Sequence, residues 1–222
     1  MAEKKFALIV AGGSGTRMNS AVPKQFLELA GKPVLMRTIE QFSTYDREIE
    51  FVIVLPSDYI EYWQKLCAKY NFEIPCRLVV GGATRFQSVR NGLEVLEGEG
   101  LVFIHDAVRP LVSMLTIRDC EETARLHGNA LPVLPLTDSL REVSGLKSEH
   151  VDRSRFRLVQ TPQTFRLSLI KEAFCQPEQD FFTDDATVCE AMGVIIHLTE
   201  GNPENIKITS PFDFLIAENL LK

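Results

Sequence analysis

Short continuous apolar runs rich in Val, Ile and Leu occupy residues 6–11, 51–55, 77–80, 101–105 and 130–134. Runs without alternation suit strands covered on both faces, whereas a half-exposed strand alternates apolar and polar positions. The stretches between them have a helical period. Within residues 84–96, Phe86, Val89, Leu93 and Leu96 follow one another at steps of three and four, which places them on one face of a helix. Residues 34–42, 58–70 and 115–126 show the same pattern. Strands that alternate with amphipathic helices predict βαβ units and an α/β domain, doubly wound, with a mainly parallel sheet.

The texture changes after Leu136. Residues 138–160 are polar and carry Arg141, Arg153, Arg155 and Arg157, with a Ser144-Gly145 turn between two short strand-like segments. A structureless loop of this length is unusual in a compact domain, so the segment is expected to be a β-arm that docks on a partner. Regular elements return with a helix near residues 167–174, a helix opening near Thr183-Asp184-Asp185 and a strand over 194–198. The last helix is expected to start at Thr209-Ser210-Pro211, with a hydroxyl cap, Pro just inside and Asp213 in the first turn. Residues 1–222 read as one domain, a size that buries a substantial core.

A formal net charge of −6 argues against non-specific binding to nucleic acid or an anionic membrane, but leaves room for a local basic pocket. The five cysteines are odd in number and have no close pair, which suits reduced thiols in a cytoplasmic protein. No signal-length apolar stretch opens the chain, and no run of about 18 apolar residues predicts a membrane span.

The chemistry concentrates after the first strand, in Ala11-Gly12-Gly13-Ser14-Gly15-Thr16-Arg17-Met18 followed by Pro23-Lys24-Gln25. Gly12, Gly13 and Gly15 allow successive N–H groups to face one concavity, and Arg17 and Lys24 add two cations for a phosphate chain. The glycines alone suit a tight strand-to-helix turn equally well; the two cations favour phosphate. The spacing matches neither G-x-x-x-x-G-K-[ST] nor G-x-G-x-x-G, since Met18 stands where the latter needs glycine.

A-G-G-x-G-x-R-M with P-K-Q resembles the nucleotidyltransferases, whose fold is Rossmann-like, and within them the 2-C-methyl-D-erythritol 4-phosphate cytidylyltransferases of the non-mevalonate isoprenoid pathway. The resemblance continues through Gly81-Gly82-Ala83-Thr84-Arg85, His105-Asp106-Ala107-Val108-Arg109-Pro110, Asp152-Arg153, Thr161-Pro162-Gln163, Thr183-Asp184-Asp185-Ala186 and Asn205-Ile206-Lys207-Ile208-Thr209.

That resemblance implies attack by the acceptor's phosphate on the α-phosphorus of CTP, with release of pyrophosphate. By the same resemblance, Arg17, Lys24, Arg153 and Lys207 are the catalytic cations, and Ala11, Gly12, Gly13, Gly15, Gly81, Gly82 and Ser88 hold the nucleotide. Asp106, Arg109, Thr161 and Thr183 bind the polyol phosphate. Arg153 and Thr161 would complete a neighbour's pocket, which implies a homodimer with exchanged arms. Mg2+ is expected to be held largely by the triphosphate, without an assigned protein ligand. Most relatives carry an acidic or polar residue where Ala83 stands, so a side-chain contact is absent there. His105 reads as a packed strand-end residue, because a phosphate needs no general base, and His127, His150 and His197 have no role. A ribitol 5-phosphate cytidylyltransferase stays open as an alternative, as does a non-catalytic nucleotide-binding regulatory protein. The stretch from Thr183 to Ala186 with Glu190 and Gly193 resembles the methylerythritol enzymes more closely, and the intact cations speak for catalysis.

Overall fold

A computed structural model describes residues 3–12 and 22–221. Strand β1 (Lys4–Val10) runs down the middle of the main sheet, where Phe6, Ala7, Leu8 and Ile9 are all buried. The small antiparallel ribbon of β2 (Glu28–Leu29) and β3 (Lys32–Pro33) leads into α1 (Val34–Tyr45). Next come β4 (Glu50–Leu55), α2 (Ile60–Tyr70), β5 (Cys76–Val80), α3 (Arg85–Glu94) and β6 (Gly100–Asp106). β1 pairs in parallel with β4 and β6, and β4 with β5. This half is the doubly wound α/β layout that the apolar runs predict.

Both faces of β1, β4 and β6 are filled, while β5 at the sheet edge is only half-buried, and the side-chain alternation divides the core. Ala7, Ile9, Ile53 and Phe103 pack on one face with Ile39, Phe42 and Trp63 from α1 and α2. Leu8, Val52, Val54 and Ile104 face the other way onto Phe86, Val89 and Leu93 from α3. A strand with two covered faces has no polar position to spare, which is why its sequence does not alternate. Burying one such aliphatic side chain stabilises by about 1.5–3 kcal/mol.

The second half departs from a uniformly parallel pattern. After α4 (Met114–His127) and β7 (Asn129–Pro135), the hairpin of β8 (Leu140–Ser144) and β9 (Lys147–Val151) turns at Gly145 with φ +59°. The rest of the expected arm returns to the sheet edge as β10 (Arg157–Val159), antiparallel to β7. β11 (Gln163–Arg166) then enters between β6 and β7, antiparallel to both. Its four residues are too short to show a strand period, so the sequence pattern predicts no strand there. The chain closes with α5 (Leu167–Ala173), α6 (Asp185–Glu190), β12 (Leu198–Glu200) and α7 (Pro211–Leu220).

The strand expected over 194–198 begins only at Leu198. The Asn129 side chain explains the offset, donating Nδ2–H to the Ile195 carbonyl and accepting from the His197 N–H. These backbone groups are therefore satisfied by a side chain in place of a ladder. The α7 start is as expected: Ser210 and Asp213 form a reciprocal capping box, with Pro211 at the first helical position. The cysteines are all free thiols. Among the described residues no helix is long and apolar enough to cross a membrane.

Candidate nucleotide and phosphate site

A concavity of about 270 Å3 opens beyond the carboxyl ends of β1, β5 and β6. Its first wall is built from backbone. The Ala11 N–H donates to the Val54 carbonyl and the Gly81 N–H to the Leu55 carbonyl, which brings the ends of three strands together. Ser88, buried on α3, accepts from the Gly82 N–H at 3.1 Å. A Cβ on Gly81 would come within 3.0 Å of that hydroxyl, and one on Gly82 would meet Gln87 Cβ at 2.3 Å. Glycine is needed at Gly82 because α3 starts too close for a side chain. α3 itself is capped by Thr84, whose Oγ1 accepts from the Gln87 N–H.

Lys24 lines the same concavity, on a short 3-10 turn spanning Lys24–Phe26. Two neighbours fix it. Buried Gln25 donates Nε2–H to the Ala11 carbonyl at 2.9 Å, tying together the two ends of the glycine-rich segment. Phe26 is gripped by Tyr59, Tyr62 and Trp63 at centroid distances of 5.6, 5.3 and 6.5 Å. The expected phosphate-binding residues Gly13, Gly15 and Arg17 lie outside the described residues.

The opposite wall gathers charge. Asp106 Oδ2 lies 3.0 Å from Lys207 Nζ and 3.2 Å from Arg109 Nε. Burial alone would raise the Asp106 carboxyl, but Lys207, Arg85 and Arg109 overcome it and hold the group well below the usual carboxylate range. Arg109 also donates from Nη1 to the Asn205 carbonyl at 2.7 Å. Asn205 in turn donates to the Thr161 carbonyl. The segment before α7 is thus fastened to the end of β6, which brings Lys207 from the far end of the sequence into the pocket.

Arg85 and Asp185 were present in the sequence motifs without a role, and the structure gives them one. Arg85 donates from Nη1 and Nη2 to the two carboxylate oxygens of Asp185 at 2.7 and 2.6 Å, and Asp185 is fully buried. Burial alone would lower the Arg85 guanidinium, but Asp185 raises it above its ordinary value, so it stays protonated. The pair joins the start of α3 to the start of α6. Gln163 reinforces this frame, donating to Asp184 and accepting from the Ala186 N–H. Sequence spacing of 100 residues carries no hint of the pairing.

Among the described residues, five expected ones do not line this concavity: Gly81 and Arg109, whose partners Ser88 and Asp106 do, and Thr161, Thr183 and Arg153. Thr161 is buried, and its Oγ1 accepts from the Asp106 N–H at 3.2 Å and meets His105 Nδ1 at 3.0 Å. Its hydroxyl is engaged by these two internal partners and supports the Asp106 backbone. Thr183 is exposed next to the Asp184 cap of α6, outside the pocket lining. Arg153 is exposed at the base of the hairpin, where its guanidinium donates to the Thr137 carbonyl. A larger groove of about 960 Å3 lies at the other ends of β4 and β5, but its Glu40, Arg47, Glu50, Glu73 and Arg77 mix signs. The smaller pocket has the converging cations.

In an open α/β sheet ligands collect beyond the carboxyl ends of the strands. Here that edge joins a backbone wall at glycine turns to anchored cations, the layout of an enzyme that handles a phosphorylated nucleotide. Residues 6–222 match the family model described as IspD, 2-C-methyl-D-erythritol 4-phosphate cytidylyltransferase. The chain is 51% identical to the Porphyromonas gingivalis protein of that name over 222 residues, covering 100% of this chain and 99% of the relative. It is 49% identical to the Bacteroides thetaiotaomicron protein of that name, covering 98% and 100%. The crystal structure of 4-diphosphocytidyl-2C-methyl-D-erythritol synthase from Anaerococcus prevotii superposes with a TM-score of 0.83 at 26% identity, covering 99% and 98%. The chain therefore belongs to the 2-C-methyl-D-erythritol 4-phosphate cytidylyltransferase family, a branch of the nucleotidyltransferases.

Proposed function

We propose that the protein transfers CMP from CTP to 2-C-methyl-D-erythritol 4-phosphate, giving 4-diphosphocytidyl-2-C-methyl-D-erythritol and pyrophosphate. The observation that carries this reading is the family match over residues 6–222, joined to a pocket lined by Lys24, Asp106 and Lys207, with Arg109 paired to Asp106. An oxygen of the acceptor phosphate forms a bond to the α-phosphorus of CTP, and the bond from that phosphorus to the bridging oxygen breaks. The electron pair leaves with pyrophosphate. The attacking phosphate is already anionic, so no general base is required; alignment and fixed positive charge are the protein's contribution.

Ala11, Gly12, Gly81, Gly82 and Ser88 form the nucleotide wall, and the family motif assigns Gly13 and Gly15 to the same ligand. Lys24 and Arg17 offset the charge that gathers around the α-phosphorus. Asp106 accepts from an acceptor hydroxyl while Lys207 and Arg109 orient the acceptor's phosphate. The pocket-facing carboxylate of Asp106 is engaged by two cations, so the described residues do not provide a carboxylate cage for magnesium. Mg2+ arriving on the triphosphate would offset the charge of the departing pyrophosphate.

The reading extends to a homodimer. Val143, Leu146, Phe156, Leu158 and Val159 are large apolar residues that the hairpin and β10 leave exposed, and Leu146 at the tip is fully so. Docking on a second copy would cover them and carry Arg153 toward the partner's acceptor site, while Thr183 would offer its hydroxyl to the acceptor.

A product assay with each of the four nucleoside triphosphates and with both methylerythritol and ribitol phosphates tests the reaction. Release of pyrophosphate is expected with CTP and methylerythritol phosphate. Faster turnover on ribitol 5-phosphate, or on another nucleotide, overturns the assignment.

A further inference from the structure

His105 sits one residue before Asp106 at the end of β6, with no exposed surface. The proposed chemistry gives it no task, yet both of its ring nitrogens are engaged. Nε2 lies 3.0 Å from the Arg109 carbonyl oxygen and Nδ1 lies 3.0 Å from Thr161 Oγ1. Phe42 packs edge-on against the ring at 4.9 Å between centroids.

A carbonyl oxygen can only accept, so Nε2 carries a proton. Burial pushes the imidazole down to about 4, against the Arg109 carbonyl and Asp106, which raise it. The ring is therefore neutral near pH 7, and Nδ1 is left as an acceptor. The Thr161 hydroxyl must donate to it, which leaves an oxygen lone pair for the Asp106 N–H at 3.2 Å. One proton arrangement satisfies every group. Asp106 N–H donates to Thr161 Oγ1, Thr161 O–H donates to His105 Nδ1, and His105 Nε2–H donates to the Arg109 carbonyl.

This relay starts and ends on the two residues whose side chains meet at Asp106 Oδ2. The middle of the same turn is held by other means. Ala107 donates to the Val10 carbonyl and accepts from Thr38 Oγ1, and the Val108 carbonyl accepts from the Ile208 N–H. The ends of the turn are tied directly by the Arg109 N–H, which donates to the Asp106 carbonyl at 3.1 Å, and the relay adds a second, side-chain tie between the same two residues.

We propose that His105 and Thr161 are positioning residues for the acceptor: their hydrogen-bonded relay sets the turn from Asp106 to Arg109 so that carboxylate and guanidinium meet the polyol phosphate in register. This rests on the proposed reaction, in which Asp106 and Arg109 bind the acceptor. It also gives His105 a task that involves no proton transfer to substrate.

The test combines 15N NMR of the imidazole in the intact protein with steady-state kinetics of His105→Phe, Thr161→Val and Thr161→Ser. The expected spectrum is that of a neutral Nε2–H ring. His105→Phe and Thr161→Val are each expected to raise KM for methylerythritol phosphate about tenfold with KM for CTP within about twofold, since each breaks the relay without changing the cations. Thr161→Ser keeps the hydroxyl and should restore the wild-type KM. The double variant His105→Phe/Thr161→Val should lose no more than either single one, because both cut the same chain. An Nδ1–H ring, or folded variants in which both KM values move together or neither moves, overturns the assignment. Wild-type protein that turns over no methylerythritol phosphate would instead defeat the underlying reaction. Active wild type with unaltered variants defeats only the relay.

Discussion

Lys207 Nζ stands 3.0 Å from Asp106 Oδ2, and through this contact the segment before α7 closes on the carboxyl end of β6. The ammonium contributes to holding the buried carboxyl ionised, and the carboxylate keeps a flexible lysine aimed into the pocket. Lys207→Met is expected to lower kcat/KM for the acceptor by about 10²-fold, and Lys207→Arg to retain part of it. Unchanged turnover in Lys207→Met would remove Lys207 from the proposed mechanism.

Lys24 lines the same concavity as Asp106 and Lys207. If its charge acts on the transition state, Lys24→Ala should reduce kcat by about 10²–10³-fold. Single-turnover kinetics at saturating CTP separates this from binding. A rise in KM for CTP with kcat preserved would make Lys24 a ground-state contact.

The Arg85–Asp185 pair is predicted to matter first for stability. Asp185→Asn leaves a guanidinium without its buried counter-charge, and a loss of about 3–5 kcal/mol in urea unfolding is expected. Arg85→Met combined with Asp185→Leu should cost less than the sum of the single changes, since neither charge is then stranded. Strict additivity would show that the two groups do not act as a pair.

His105 also predicts an acid-side slope in stability. Its folded value of about 4 lies below the ordinary 6.5, so the unfolded chain binds the proton first as the pH falls. The contribution is fully present above pH about 6.5 and is lost progressively toward pH about 4, to a total of about 3 kcal/mol. Urea midpoints measured across this window should fall less steeply in His105→Phe than in wild type. Parallel curves would mean that His105 does not supply the slope.

The arm yields a complementation experiment. A Lys24→Ala subunit and an Arg153→Ala subunit are each expected to be inactive as homodimers. If Arg153 serves the partner's site, their heterodimer regains one intact site, because both lesions fall in the other. Absence of activity in verified heterodimers would place Arg153 in its own subunit's site or outside catalysis.

The repeated apolar runs made β1, β4, β6 and β7 legible, because two covered faces leave a continuous signature that needs no partner to be read, and the short run of β5 was legible although that edge strand is only half-buried. Helix starts at Thr84 and Ser210 were legible for a similarly local reason, since each caps within three residues of its own position, whereas the Ser113 cap of α4 was not read from the sequence. Strand β11 was not legible, since four residues have too little length for a period and their antiparallel place is set by β6 and β7.

The same division runs through the site. Glycines, the P-K-Q turn and the motif around Asp106 are short-range features, and they already marked a phosphate-handling protein and its family. That Thr161 faces inward, that Arg85 reaches Asp185, and that Lys207 meets Asp106 across about 100 residues of chain followed only from how the sheet is ordered. Local steric and capping preferences are written within a few neighbouring positions. Pairings between distant charges and hydroxyls depend on which strand ends the fold brings together, and only packing and desolvation of the whole core choose those.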